Sequence, residues 1–83
     1  MERAIKIKEI FERKIKKWSE DVQYYNDLYL EAEKENKNKS ITVFKYEQNK
    51  SKMAFYQRQI DGLREELKVY RTVLEIVNNV LAE

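Results

Sequence analysis

Apolar and aromatic residues recur through the second half of this sequence at alternating steps of three and four. The series consists of Tyr46, Met53, Tyr56, Ile60, Leu63, Leu67, Tyr70, Leu74, Val77 and Leu81, with the polar Asn49 in the remaining position. Such a heptad pattern places one apolar stripe along a helix and is typical of helices that pack lengthwise against another helix. The spacing predicts a single long helix over residues 41–82.

The first half of the sequence carries the same pattern. Its members are Ala4, Lys8, Phe11, Ile15, Trp18, Val22, Tyr25, Tyr29 and Ala32. Lys8 is the only charged member, and the neighbouring Ile7 can share the burial. Proline is absent and Gly62 is the only glycine, so the chain has few residues that interrupt helices. These features predict a second long helix over residues 2–36.

The segment between the two predicted helices, residues 34–40, contains no apolar residue. Asn36 and Asn38 tolerate the left-handed conformation that ends many helices, and Ser40 is a candidate N-cap for the next one. A short connection of about residues 36–40 between two long helices predicts an antiparallel hairpin. The 83 residues therefore form one all-α domain, 1–83.

The distribution of charge supports the antiparallel orientation. Net charges are +3 over residues 1–20, −4 over 21–36, +5 over 37–58 and −2 over 59–83. Folding the chain near residue 38 places blocks of opposite sign beside each other, whereas parallel helices would place like charges together. In this register Phe11 faces Leu67 and Ile15 faces Leu63, while Trp18 faces Tyr56 and Ile60.

Two local patterns favour other structures. Residues 40–46, SITVFKY, are rich in β-branched and aromatic residues and resemble a strand, although the sequence offers no second strand to pair with it. Asp61 and Gly62 form a turn signal that would divide the second helix and give a three-helix bundle. The heptad pattern passes through Gly62 without slipping, so we expect a continuous helix.

The composition leaves little chemistry for an active site. Cysteine and histidine are both absent, which removes disulfides, thiol nucleophiles, histidine bases and the common zinc sites. No glycine-rich phosphate loop is present. Glu31 and Glu35 would share a helix face, but the basic block opposite them favours a solvated, neutralised surface. We therefore predict a non-enzymatic protein with no cofactor and no metal site.

Basic residues raise the alternative of nucleic-acid binding. Candidate contacts are Lys14, Lys17, Lys45, Lys50 and Lys52. Acidic residues interrupt the basic residues near the N-terminus. Two of them, Glu9 and Glu12, lie four residues before Arg13 and Lys16, which is typical of a self-neutralised helix surface. The net charge of +2 is also small for a nucleic-acid-binding protein.

The ends of both predicted helices carry more apolar residues than one seam requires. The additional residues are Ile5, Ile7, Ile10, Val69, Val73, Ile76 and Val80. An exposed apolar patch of this kind marks an interface. We expect a homodimer that forms a four-helix bundle at the terminal end of the hairpin. The alternatives are a different protein partner, or a second helix that bends back to bury its own extra row.

These observations predict a protein–protein interaction module. A small, charged, cysteine-free chain suits a cytoplasmic adaptor or inhibitor, including a phage- or plasmid-encoded protein that acts on a host protein. A nucleic-acid-binding regulator and a structural subunit of a larger coiled-coil assembly are the alternative functions. No run of apolar residues approaches the roughly 18 that a membrane span requires, so we expect no membrane association.

Overall fold

Two long helices make up the computed structural model, which describes residues 2–83. Helix α1 spans Glu2–Asn36 and helix α2 spans Val43–Ala82. They pack along their length into a rod whose Cα atoms extend over 61 × 14 × 14 Å. The ring of Tyr70 lies against Phe11 and Trp18, and Asn49 contacts Asn36, so the helices are antiparallel. The predicted all-α hairpin is confirmed.

Helix α1 ends in a tighter turn, in which backbone hydrogen bonds join residues three apart, and not at a residue in the left-handed conformation. The backbone N–H of Lys37 donates to the carbonyl of Lys34 at 3.2 Å, and that of Asn38 donates to Glu35 at 3.1 Å. These bonds tighten the last turn and satisfy carbonyls that the helix leaves without partners. No non-glycine residue among residues 2–83 has a positive φ, so the left-handed conformation proposed for Asn36 and Asn38 is wrong.

Helix α2 begins two residues later than the sequence predicted, and its N-cap is Thr42 and not Ser40. The Thr42 hydroxyl accepts a hydrogen bond from the backbone N–H of Lys45 at 3.1 Å. The backbone N–H of Ser40 instead donates to Oδ1 of Asn38, which closes the turn before the helix starts. The connection therefore covers residues 37–42.

Both alternatives for the second half of the chain are wrong. Residues 43–46 form the first turn of α2, and residues 2–83 contain no strand. The hydrogen-bonded helix also continues through Gly62. A Cβ built on Gly62 would meet no atom within 4 Å, so no close packing requires a glycine here. The turn signal of Asp61-Gly62 is overridden because the heptad seam on both sides is anchored by the buried Ile60 and Leu67.

The seam contacts fall further along α2 than the predicted register places them. Tyr70 packs edge-on against Phe11 and Trp18, with ring centroids 5.0 and 4.6 Å away, and Tyr56 lies 6.2 Å from Tyr25. The observed partner of each of these α1 residues lies about one helical turn or more further along α2 than the predicted partner. The longer connection accounts for part of this shift. The remainder arises because side chains on both antiparallel helices tilt toward their own N-termini, which displaces contacts between long side chains.

Within residues 2–83, the core of the hairpin is thin and contains one polar residue. Its buried apolar members are Ala32, Ile60 and Leu67. Asn49, only 2% exposed, donates from Nδ2 to Oδ1 of Asn36 at 2.9 Å. Asn36 in turn donates to the carbonyl of Tyr46 at 3.3 Å. A buried asparagine on a helix–helix seam selects one register, because any slip leaves its amide without a partner.

Replacing Thr42 with alanine removes the N-cap hydrogen bond of α2. We expect Thr42→Ala to lower the free energy of unfolding by about 1 kcal/mol, measured by urea titration followed by circular dichroism. Ser40→Ala is the matched control and should change this free energy by less than about 0.5 kcal/mol. The opposite ranking would restore Ser40 as the cap.

The two asparagines of the seam should be energetically coupled. A double-mutant cycle with Asn36→Ala and Asn49→Ala should give a coupling free energy of about 1 kcal/mol, the net contribution of a part-buried hydrogen bond. The measurement is again urea unfolding of the four proteins. Additive effects would show that Asn49 does not depend on Asn36.

Candidate interaction surface

Each helix carries a second heptad stripe beside the seam. On α1 it consists of Ile7, Ile10, Lys14, Lys17, Asp21, Tyr24, Leu28, Glu31 and Glu35. On α2 it consists of Lys52, Phe55, Gln59, Gly62, Glu66, Val69, Val73, Ile76 and Val80. Steps of three and four keep each stripe on one side of its helix.

The two stripes lie on the same side of the hairpin. One shallow groove is lined by Leu28 and Glu31 of the α1 stripe together with Lys52 of the α2 stripe. A second groove joins Trp18 of α1 to Glu66 and Val69 of α2. We refer to this side, formed by both stripes, as the broad face.

The part of the broad face near the chain termini is apolar. We refer to its six residues as the terminal patch, which consists of Ile7, Ile10, Val69, Val73, Ile76 and Val80. Five of them are 42–59% exposed, and Val73 is half-buried at the edge of the seam. The sequence grouped Ile5 with these residues. Ile5 and Ile7 are about 200° of helical rotation apart, so Ile5 lies on the opposite side of the rod.

Four aromatic rings cross the middle of the broad face in one row. Tyr24 lies 5.4 Å from Tyr25, Tyr25 lies 6.2 Å from Tyr56, and Tyr56 lies 5.9 Å from Phe55, measured between ring centroids. The outer members remain open to solvent, with Tyr24 60% exposed and Phe55 45% exposed. The sequence places Tyr24 and Phe55 off the seam but does not show that they form one row with Tyr25 and Tyr56. The signal for this row was the pair of aromatic doublets, Tyr24-Tyr25 and Phe55-Tyr56, on the two predicted helices.

Most charges of the broad face have no ion-pair partner within the chain. The ion pairs within 4 Å among residues 2–83 are Lys8–Glu12, Lys37–Glu33 and Lys45–Glu35, and all are largely solvated. Exposed pairs of this kind contribute little to stability. The charged residues of the broad face outside these pairs are Lys14, Lys17, Asp21, Glu31, Lys52 and Glu66. Lys14 instead places its Nζ 5.5 Å from the centroid of the Tyr70 ring.

The candidate nucleic-acid contacts fall into two separate groups. Lys14 and Lys17 lie on the terminal half of α1, whereas Lys45, Lys50 and Lys52 lie at the loop end of α2. Lys52 lies beside Glu31 of α1. Counted along α1 from Lys17 to Glu31 at a rise of 1.5 Å per residue, the two groups are roughly 20 Å apart.

The loop-end lysines are themselves partly engaged. Lys45 pairs with Glu35 at 3.5 Å, and Lys50 places its Nζ 5.8 Å from the Tyr46 ring centroid. The structure therefore does not join the predicted lysines into one basic strip.

The first turn of α2 exposes two further apolar side chains. Val43 is 80% exposed and Phe44 is 77% exposed, the highest values among the large apolar residues described. They lie at the tip of the hairpin, beside Lys45 and at the opposite end of the rod from the terminal patch.

Comparison with known protein families, with characterised proteins and with solved structures found no match to this chain. Within residues 2–83, neither helix has a segment that is both long enough and apolar enough to span a bilayer.

Proposed function

We propose that this chain is a non-enzymatic protein–protein interaction module, a small adaptor or inhibitor that binds other chains through the terminal patch. Its first partner is a second copy of itself. The observation that carries the proposal is the patch of aliphatic side chains left 42–59% exposed on one side of the hairpin. Contiguous apolar surface of this kind is uncommon on soluble proteins unless a partner covers it.

The energetics favour self-association over contact with a polar surface. Full burial of an aliphatic side chain contributes about 1.5–3 kcal/mol. Burying the remaining half of each of five side chains therefore contributes roughly 5 kcal/mol per copy. Association itself costs about 4–15 kcal/mol in lost freedom of motion. One patch against a polar surface gains little, whereas two patches against each other double the apolar gain.

A second candidate function is nucleic-acid binding at the hairpin tip. The observation that favours it is the exposed Phe44 beside Lys45, with Lys50 and Lys52 on the following turns. An exposed aromatic ring among basic residues suits stacking on bases of a single strand while lysines contact the phosphates. The distance of this tip from the terminal patch makes the two functions separable by mutation.

Two substitutions in the terminal patch test the main proposal. We expect Val69→Glu with Ile76→Glu to abolish self-association and to leave the helical circular dichroism signal largely unchanged. Both side chains are well exposed in the single hairpin, where a carboxylate costs little, but a dimer would bury those carboxylates without partners. Sedimentation equilibrium should show the wild type as a dimer and this double variant as a monomer.

The matched control introduces the same two charges on the opposite side of the rod. Ile5 and Leu30 are 46% and 50% exposed, so Ile5→Glu with Leu30→Glu should remain dimeric. A wild type that is monomeric at every concentration would contradict self-association through the patch. Growth beyond a dimer with rising concentration would favour the structural coiled-coil alternative.

A separate measurement tests nucleic-acid binding. We expect no saturable change in fluorescence anisotropy when a labelled single-stranded oligonucleotide is titrated with the protein at physiological ionic strength. Binding that weakens steeply with salt and is lost in Phe44→Ala with Lys50→Glu would establish the second candidate function, because phosphate contacts release counterions. The same variant should not affect the dimer.

A further inference from the structure

We infer that two copies pack broad face to broad face, with their rods parallel and their terminal ends together, about a two-fold axis that runs along the rod. This inference rests on the proposed function, since it specifies how the second copy covers the terminal patch. It extends the interface from the terminal patch to the whole broad face, including the aromatic row and the charges near the loop.

A two-fold axis along the rod has a simple geometric consequence. It leaves every residue at its own height on the rod and places α1 of one copy over α2 of the other. Residues at the same height on α1 and α2 of one hairpin therefore become partners across the dimer. The grooves of the broad face give these heights, because Trp18 lies level with Glu66, and Glu31 lies level with Lys52.

This arrangement brings opposite charges together. Lys17, which directly precedes Trp18 in the chain, lies over Glu66 of the second copy, with Lys14 one turn to one side of that contact and Asp21 one turn to the other. Glu31 lies over Lys52 of the second copy. The two-fold axis repeats each contact, so two lysine–glutamate contacts form at each of these two heights. None of these six residues has an ion-pair partner within its own chain among residues 2–83.

The uncharged parts of the broad face match in the same way. The terminal patches overlap, so that Ile7 and Ile10 of one copy lie level with Ile76 and Val73 of the other and aliphatic side chains meet there. The aromatic row of one copy lies over that of the other, which places Tyr24 near Phe55 of the second copy. Aromatic rings in such contacts contribute beyond their buried area.

A two-fold axis across the rod gives a poorer fit. With full overlap it places the terminal patch over the loop end of the second copy, where Glu31, Glu35 and Lys52 would lose water against aliphatic side chains. With overlap of the terminal patches alone, it leaves Tyr24 and Phe55 exposed. The parallel arrangement avoids both penalties.

The broad face is large enough for a stable dimer. The Cα atoms of the rod extend over 61 Å by 14 Å, so the flat outline of the broad face is about 850 Å². A standard protein–protein interface buries roughly 800 Å² per partner. The terminal patches alone cover about a third of the length, which is small for a lasting interface.

Charge reversal with mixing tests the pairing. We expect Lys14→Glu with Lys17→Glu to weaken self-association by about tenfold, because each copy now sets acidic residues over Glu66 of the other. Glu66→Lys alone should weaken it similarly. An equimolar mixture of the two variants should recover wild-type affinity, since both charge clusters of the heterodimer are again of opposite sign. Sedimentation of the single variants and the mixture provides these affinities.

A control variant separates pairing from net charge. Arg13→Glu with Lys16→Glu makes the same change in charge on the outer side of α1, where these residues line a groove with Glu9 and Glu12. This control variant should dimerise on its own, without the Glu66→Lys variant as its partner. Failure of the mixture to associate better than either variant alone would overturn the parallel arrangement.

Small-angle X-ray scattering of the wild type separates overlap along the whole rod from overlap of the terminal patches alone without any mutation, while the mixing experiment distinguishes parallel from antiparallel rods. The parallel dimer should have a maximum dimension close to that of one rod, near 61 Å plus the side chains at its ends. Overlap of the terminal patches alone would instead give nearly twice this length. A dimer of that greater length would overturn this inference and leave the proposed function standing, whereas a wild-type monomer would overturn both.

Discussion

Two helices share a single line of contact, and this limit shapes the whole molecule. Among residues 2–83, only Ala32, Ile60, Leu67 and Asn49 are buried, although both helices exceed 30 residues. The remaining seam residues keep part of their surface in water because no third element in that part of the chain covers them. Small chains of this kind usually require an additional source of stability. A second hairpin on the broad face would supply that missing layer.

The seam combines general apolar packing with two features that define its geometry. At the loop end, Asn49 and Asn36 form a hydrogen bond that a slipped register would break. Toward the termini, Tyr70 lies between Phe11 and Trp18, so its ring resists sliding along α1. Packing of aliphatic residues alone tolerates several registers, and these two contacts select one. A defined register is also what aligns the residues of the broad face.

The broad face and the hairpin tip divide the surface into regions with different chemistry. The terminal patch is aliphatic, the middle of the broad face is aromatic, and the loop end is charged. The tip adds Val43 and Phe44, both far from the terminal patch. A molecule that dimerises along the broad face therefore presents two tips at one end, where each remains free to contact another molecule.

The heptad pattern and the absence of proline determined two long helices, and the short polar connection between them determined their antiparallel orientation, which the alternation of charged blocks also favours. These properties depend on spacing along the chain. Residues such as Ile7, Val69 and Ile76 were also recognisable as additional apolar surface. The tertiary structure decided the cap at Thr42, the register at Tyr70, the separation of Ile5 from the terminal patch and the aromatic row. These features depend on hydrogen bonds in the turn and on the heights at which two helices meet. A one-dimensional pattern specifies which face of a helix is apolar, but only the packed pair specifies which residues of the two helices lie side by side.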